Sequence, residues 1–130
     1  MIKIVISIII LIESGGNRLA FNDKSKAIGL MQITPICLKD YNQYHKEKFT
    51  QDQMYNEIPN VMVGEWYINK RIPQLLRHYD IKDSINNRLI AYNWGIRNLI
   101  NYEKGEAKLP KKTKNYIKKY HKILERRNRK

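Results

Sequence analysis

Glu13 is the side chain of this sequence that is best placed for acid–base chemistry. It follows an almost continuous apolar run, residues 2–12, and precedes Ser14 and two glycines. If that run forms a helix, the carboxylate lies at the helix C-terminus, where the helix dipole disfavours a negative charge, and apolar neighbours desolvate it. Both effects raise the pKa of a carboxyl group, which can then act as a general acid near neutral pH. From this position alone, a surface glutamate at a fraying helix end is the simpler interpretation.

Four further segments change that interpretation. The sequence ESGGN at residues 13–17 is followed by AIGLMQITP at residues 27–35 and by AYNWG at residues 91–95. In this order, the three segments resemble those of the lytic transglycosylases with a soluble-lytic (SLT), goose-lysozyme-like domain. Two weaker segments, NVMVGEWYI at residues 60–68 and PKKTKNYI at residues 110–117, agree with the same family. One such segment occurs easily by chance, whereas five in order at compatible distances predict membership.

The resemblance implies cleavage of peptidoglycan at the β-1,4 bond between N-acetylmuramic acid and N-acetylglucosamine. Glu13 would protonate the glycosidic oxygen, and the substrate's acetamido group would stabilise the oxocarbenium-like state. The ionised Glu13 would then take the proton of the muramic C6 hydroxyl, which closes onto C1 and leaves a 1,6-anhydro product. One carboxylate suffices because the nucleophile belongs to the substrate, whereas ordinary glycosidases use two. Well-oriented intramolecular attack reaches effective molarities of about 10⁵ M or more.

The resemblance also implies six substrate-binding residues: Ser14, Met31, Gln32, Tyr92, Asn93 and Tyr116. Ser14 and Gln32 would hydrogen-bond to sugar or backbone in the cleft, and Met31 would form an apolar wall beside the sugar. Tyr92 and Asn93 would line the cleft near the scissile bond. Tyr116 would approach Glu13 and help to set its protonation and aim. Core packing is the alternative for Tyr92 and Tyr116, because each lies on an apolar helical face.

The sequence departs from the family pattern at two positions that bear on subsite preference and activity, and a hydrolase on the same fold is a separate alternative. Lys112 stands where the family has a glutamate, and Trp94 is a bulky residue within the AYNWG segment. A lysozyme-type muramidase on the same fold needs a second carboxylate that holds water. Asp23, in the loop after Glu13, is the best candidate for that carboxylate, and Asp40 is the second.

Positive charge is concentrated near the C-terminus. The chain has a formal net charge of +13, and residues 104–130 hold twelve Lys or Arg against two Glu. Such a segment attracts polyanions, so anionic cell-wall polymers are expected partners beside the glycan strands; a solvated basic face is the alternative. No nucleic-acid-binding module is recognisable, and charge alone gives only nonspecific binding. Specific nucleic acid is therefore not an expected partner.

No cofactor and no metal are expected. The three histidines, His45, His78 and His121, lack metal-ligand spacing, and the single Cys37 excludes an internal disulfide framework. The apolar run at residues 2–12 is shorter than the roughly 20 residues of a bilayer span, so it predicts a buried helix rather than a stable membrane span; an uncleaved anchor and a truncated signal peptide are the alternatives. We expect a monomer that acts at the cell wall or in the periplasm. A phage role, a cellular role and the export route are left open.

The hydrophobic spacing predicts a mostly helical domain with at most a small sheet. The resemblance implies a lysozyme-like α+β fold, with at most a small β-hairpin near the catalytic cleft. Helices are predicted over residues 2–13, 36–44, 60–79, 85–93 and 113–125. Pro73 should kink or restart the third of these helices, Ser84 should cap the fourth, and Gly95 should end it. Residues 1–125 are assigned to the enzyme domain and residues 126–130 to a basic C-terminal tail.

Overall fold

Helices dominate the computed structural model, which describes residues 2–129. Seven α-helices occur in this part of the chain: α1 (Ile2–Ser14), α2 (Pro35–His45), α3 (Glu57–Trp66), α4 (Ile72–His78), α5 (Ile85–Trp94), α6 (Ile96–Glu103) and α7 (Lys111–Asn128). A 3₁₀ helix covers Asp52–Tyr55, and a π-helical turn covers Tyr67–Arg71. The mostly helical fold class is therefore confirmed. The chain divides into two compact units, of which the first ends at Tyr67 and the second begins at Ile68.

The apolar run near the N-terminus forms α1, as predicted. Ile8 and Ile9 are completely buried, whereas Ile4 and Leu11 are exposed. The exposed and buried positions alternate at helical spacing, so α1 covers apolar surface with one face only. Within residues 2–129, no helix is both long and apolar enough to cross a bilayer.

The segment between α1 and α2 consists of turns rather than regular strands. Ile28 forms isolated antiparallel bridges with Phe21 and with Ile33. The Ile28 amide donates to the Ile33 carbonyl at 3.0 Å, and the Ile33 amide donates back at 2.9 Å. The small hairpin that the sequence allows is thus reduced to single bridges, which fold the segment back on itself.

Side-chain caps fix the starts of two helices. The Thr34 hydroxyl accepts a hydrogen bond from the Cys37 amide at 3.2 Å, and Pro35 occupies the first position of α2. The Ser84 hydroxyl accepts from the Asn87 amide at 3.1 Å, which confirms the predicted cap of α5. In both cases the cap satisfies an amide that has no partner within the helix.

The helix predicted over residues 60–79 is interrupted in the structure. It begins earlier, at Glu57, and gives way to the π-helical turn before α4 restarts with Pro73 in its first turn. Proline lacks an amide hydrogen and its ring collides with the carbonyl four residues earlier, so a first helical turn is where it fits. The restart at Pro73 is therefore confirmed, and the π-helical turn is new.

The second unit contains one helix that the sequence analysis did not predict. Gly95, with a φ of 102°, ends α5 and directly precedes α6. Leu99 and Ile100 are buried on one side of α6, and α5 packs against both α6 and α7. The last helix, α7, extends past the predicted end at residue 125 to Asn128.

Candidate active site

The end of α1 places Glu13 in a helical turn that carries no basic side chain. Glu13 is half-buried, and it is the next-to-last residue of the helix. The Ser14 hydroxyl donates to the Ile10 carbonyl at 3.1 Å and accepts from the Gly16 amide at 3.1 Å. Ser14 thus bonds to backbone, one of the two partners expected for it. These bonds hold the last turn together just where the predicted acid is attached.

The two glycines after Ser14 leave the main chain at the end of α1 accessible. Gly15 and Gly16 have φ values of 64° and 86°, which non-glycine residues rarely adopt. A side chain built at either position would meet no atom within 4 Å. The glycines are therefore needed for the backbone direction, and their lack of side chains exposes the main chain beside Glu13.

A single buried side chain, Asn60 of α3, holds the loop at residues 27–33. Its carbonyl oxygen accepts from the Met31 amide at 2.9 Å, and its amide nitrogen donates to the carbonyls of Ile28 and Met54, each at 2.8 Å. Asn60 has no exposed surface. Water does not reach these buried polar groups. A group left there without a hydrogen bond would destabilise the fold, so each bond to Asn60 stabilises the loop. In the sequence, Asn60 stands out only as part of a family segment, which indicates no physical role for it.

Gln32 is fixed within the same loop. Its backbone φ is 53°, a left-handed conformation that is strained for a residue with a side chain. Its side-chain nitrogen donates to the carbonyls of Ala20 and Gly29, at 3.3 and 3.2 Å. The side-chain nitrogen of Gln32 therefore donates within the loop, and its side-chain oxygen is the atom left to accept a hydrogen bond. The expected hydrogen bonding to backbone is present.

Met31 is completely buried. Gly64 of α3 makes room for it, because a Cβ on Gly64 would lie 2.4 Å from the Met31 sulfur. Its burial supports a role in packing the loop against α3. The predicted contact between Met31 and a sugar stays a prediction, and burial does not support it.

Gly29→Ala is expected to lower the free energy of unfolding more than the matched change Gly15→Ala. Both positions have positive φ, so each alanine costs about 1–2 kcal/mol in backbone strain. At Gly29 the new Cβ would also lie 2.3 Å from the Met54 carbonyl oxygen and 2.4 Å from the Asn60 amide nitrogen. We therefore expect a total of about 3 kcal/mol or more for Gly29→Ala, measured by urea unfolding. Equal losses for the two variants would contradict the close packing of Gly29.

In the second unit, α7 orients Asn93 of α5. The Thr113 hydroxyl donates to the Asn93 side-chain oxygen at 2.9 Å, and Thr113 has no exposed surface. This bond uses the carbonyl end of the amide, so the nitrogen is the end of Asn93 that remains to donate. Thr113 was quoted in the family segment at residues 110–117 but received no role.

The two predicted tyrosines of this unit differ in exposure. Tyr92 of α5 is half-buried and Tyr116 of α7 is buried. The first unit contains Glu13, Ser14, Met31 and Gln32, and the second unit contains Tyr92, Asn93 and Tyr116. The approach of Tyr116 to Glu13 stays a prediction.

The alternative second carboxylate, Asp23, lies on an exposed turn. Its side chain is 93% exposed, and it pairs with Lys26 at 3.3 Å, also on the surface. A carboxylate surrounded by solvent is poorly suited to hold one water in a fixed position. Asp40, the second candidate, is half-buried on α2.

Other reactive groups lie outside this chemistry. Within the described part of the chain, no three side chains of His, Cys, Asp or Glu are grouped as a metal site requires. Burial, followed by the charge of Asp40, raises the pKa of the Cys37 thiol well above its usual range. A thiol held protonated is a poor nucleophile, so Cys37 acts as a packing residue.

Comparison with known proteins identifies one family. The model of the transglycosylase SLT domain family matches residues 3–115, which include Glu13, the loop at residues 27–33, the helix that carries Asn93 and the first turn of α7; Tyr116 lies just past the end of the match. No curated protein and no solved structure matches the chain significantly.

Proposed function

The chain belongs to the transglycosylase SLT domain family, and from this premise we propose that it is a peptidoglycan lytic transglycosylase with Glu13 as its one catalytic carboxylate. The family domain acts on cell-wall peptidoglycan, so glycan cleavage is the general activity. The bond proposed to break is the β-1,4 linkage between N-acetylmuramic acid and N-acetylglucosamine. The observation that carries the proposal is the position of Glu13, half-buried in the last turn of α1 beside exposed glycine backbone.

In the first step, the Glu13 carboxyl group gives its proton to the bridging oxygen. The C-terminal end of a helix disfavours a negative charge, and this position is the reason for proposing Glu13 as the proton donor. The C1–O bond then breaks, the N-acetylglucosamine side leaves as an alcohol, and the acetamido group of the muramic residue stabilises the positive charge that develops at C1.

In the second step, the Glu13 carboxylate takes the proton of the muramic C6 hydroxyl. The C6 oxygen forms a bond to C1, so the product contains a 1,6-anhydro ring and Glu13 is protonated again. No water is consumed. A nucleophile held in the substrate needs no second carboxylate, and its effective molarity is about 10⁵ M or more when it is well oriented.

The remaining predicted residues are proposed to hold the glycan. The amide oxygen of Gln32 and the amide nitrogen of Asn93 are the ends left to bond to sugar, since the opposite ends bond to protein groups. Ser14 keeps the last turn of α1 closed. Tyr92 is proposed to line the cleft and Tyr116 to aim Glu13. The site of action is the cell wall or periplasm, and the active species is a monomer.

The alternative function is hydrolysis by a lysozyme-type mechanism in which Asp23 holds water. The exposure of Asp23 and its surface ion pair argue against this role. We expect the Asp23→Asn variant to cleave purified sacculi within about 2-fold of the wild-type rate, because a solvated surface carboxylate contributes little. Release of soluble muropeptides measures the rate, and Lys26→Gln controls for loss of the ion pair. A drop of about 100-fold, the size expected for loss of a catalytic base, would favour the hydrolase.

A further inference from the structure

The exposed side of α7 carries a continuous row of positive charge, which we call the basic face. It consists of Lys111, Lys114, Lys118, Lys119, Lys122 and Arg126, and all six side chains are exposed. At 100° per residue these positions fall within an arc of about 140°, and at 1.5 Å per residue they extend for about 22 Å. These six residues are half of the twelve Lys and Arg of residues 104–130, and the structure places them along one side of a packed helix.

The opposite side of α7 is used for packing. Thr113, Tyr116 and Tyr120 are buried, and they point away from the basic face by roughly half a turn. The only acidic residue of the helix, Glu125, falls within the arc of the basic face, where it pairs with Arg129 at 2.6 Å. Among residues 2–129, no acidic side chain lies within ion-pair distance of the six cations of the basic face. Their charged groups are therefore accessible to an external anion.

We propose that the basic face binds a flexible anionic polymer of the cell wall, of the polyol phosphate class. Each phosphate of such a chain can neutralise one lysine or arginine, and successive contacts follow the helix axis. Lysines four residues apart, such as Lys114, Lys118 and Lys122, are about 6 Å apart along the axis. The choice of a wall polymer as the anion rests on the proposed function, because the substrate of the enzyme lies in the wall.

Two other polyanions fit the basic face less well. A helix that binds a membrane surface inserts an apolar face between lipids. The apolar face of α7 is not available for this, because its residues Tyr116 and Tyr120 are already buried within the protein. Single-stranded nucleic acid is bound through aromatic rings that stack on bases, and the six residues of the basic face include no aromatic ring. A polymer that offers phosphates alone matches the chemistry of the basic face.

Binding to purified poly(glycerol phosphate) across a salt series tests the proposal. The test variant replaces Lys114, Lys118 and Lys122 by Gln, and the control variant replaces Lys24, Lys48 and Lys82, which are exposed and lie outside α7. Both variants lose three charges, so net charge is matched. We expect the test variant to bind at least about 10-fold more weakly at low salt and its log–log salt slope to be shallower by about 2, whereas the control stays within about 3-fold of wild type.

Several results would overturn the proposal. Equal losses in the two variants would mean that net charge alone attracts the polymer, and an unchanged test variant would mean that the basic face is not used. Tighter binding of wild type to phosphatidylglycerol vesicles or to oligo(dT) than to poly(glycerol phosphate) would assign the face to another partner. Glu13→Gln is expected to bind the polymer like wild type. If polymer binding is as expected while sacculi are not cleaved, the proposed catalysis fails and the basic face stands.

Discussion

Glu13→Gln is expected to slow the cleavage of purified sacculi by about 10²–10⁴-fold, the usual contribution of a general acid or base. The amide has nearly the shape of the carboxyl group but cannot donate an acidic proton or accept one back. Both proposed steps pass through this one side chain, so no second group is left to take over either transfer. Release of soluble muropeptides from sacculi, followed at several pH values, measures the loss.

Folding and position must be separated from chemistry in this experiment. Because the substitution is nearly isosteric, the midpoint of urea unfolding should stay close to that of the wild type. Glu13→Asp keeps the acid but withdraws it by about one bond length, so we expect intermediate activity. A Glu13→Gln protein that is folded and digests sacculi at the wild-type rate would rule out Glu13 as the catalytic acid.

Asn60→Ala is expected to lower the free energy of unfolding by about 3–5 kcal/mol. The substitution removes the Asn60 bonds to the Met31 amide and the Met54 carbonyl, and one of two bonds to the Ile28 carbonyl, which also accepts from the Ile33 amide. A buried backbone group that loses its partner costs about 1–3 kcal/mol. Total stabilities of single domains are only about 5–15 kcal/mol, so the variant should be marginally folded. Urea unfolding followed by circular dichroism measures the change.

Asn42→Ala is the matched control for this loss. Asn42 also bonds to main chain through both ends of its amide, to the carbonyl and amide of Phe49 at 2.9 and 3.2 Å, but it is only half-buried. Water can replace those bonds, so we expect a cost of about 1–2 kcal/mol. If Asn60→Ala costs no more than Asn42→Ala, then Asn60 does not hold the loop at residues 27–33 as described.

Local signals in the sequence predicted much of the helical framework. The apolar run and the two glycines after Ser14 predicted where α1 ends, and Ser84 predicted the start of α5, because caps and glycine conformations act within a few residues. Pro73 predicted the restart at α4 for the same reason. The missed helix α6 follows Gly95 directly. A glycine indicates where a helix ends, but it does not indicate that another helix begins at the next residue.

The contacts that hold the site could not be predicted in this way. Asn60 bonds to residues 29 and 32 positions away along the chain, and Thr113 bonds to Asn93 across 20 positions. Such bonds depend on packing between distant segments, which spacing within a segment does not reveal. The family segments did contain both residues, so position in the motif indicated importance without indicating the physical role.

Positive charge near the C-terminus lies largely on a helix. Helix α7 continues through residue 128, so it includes residues 126–128 of the predicted basic tail. Tyr116, which the sequence places on an apolar helical face, is buried, and so is Tyr120. Burial of those positions leaves the lysines on the outer side, and this one-sided arrangement is the basis for the proposed polymer site.

The mass of the products formed in ¹⁸O-labelled water tests the proposed chemistry most directly. If the muramic C6 hydroxyl closes onto C1, the released muropeptides carry a 1,6-anhydro ring, contain no label, and are lighter by one water than their reducing counterparts. If instead the products are reducing-end muropeptides that carry ¹⁸O at C1, water is the nucleophile and the enzyme is a hydrolase, contrary to this account.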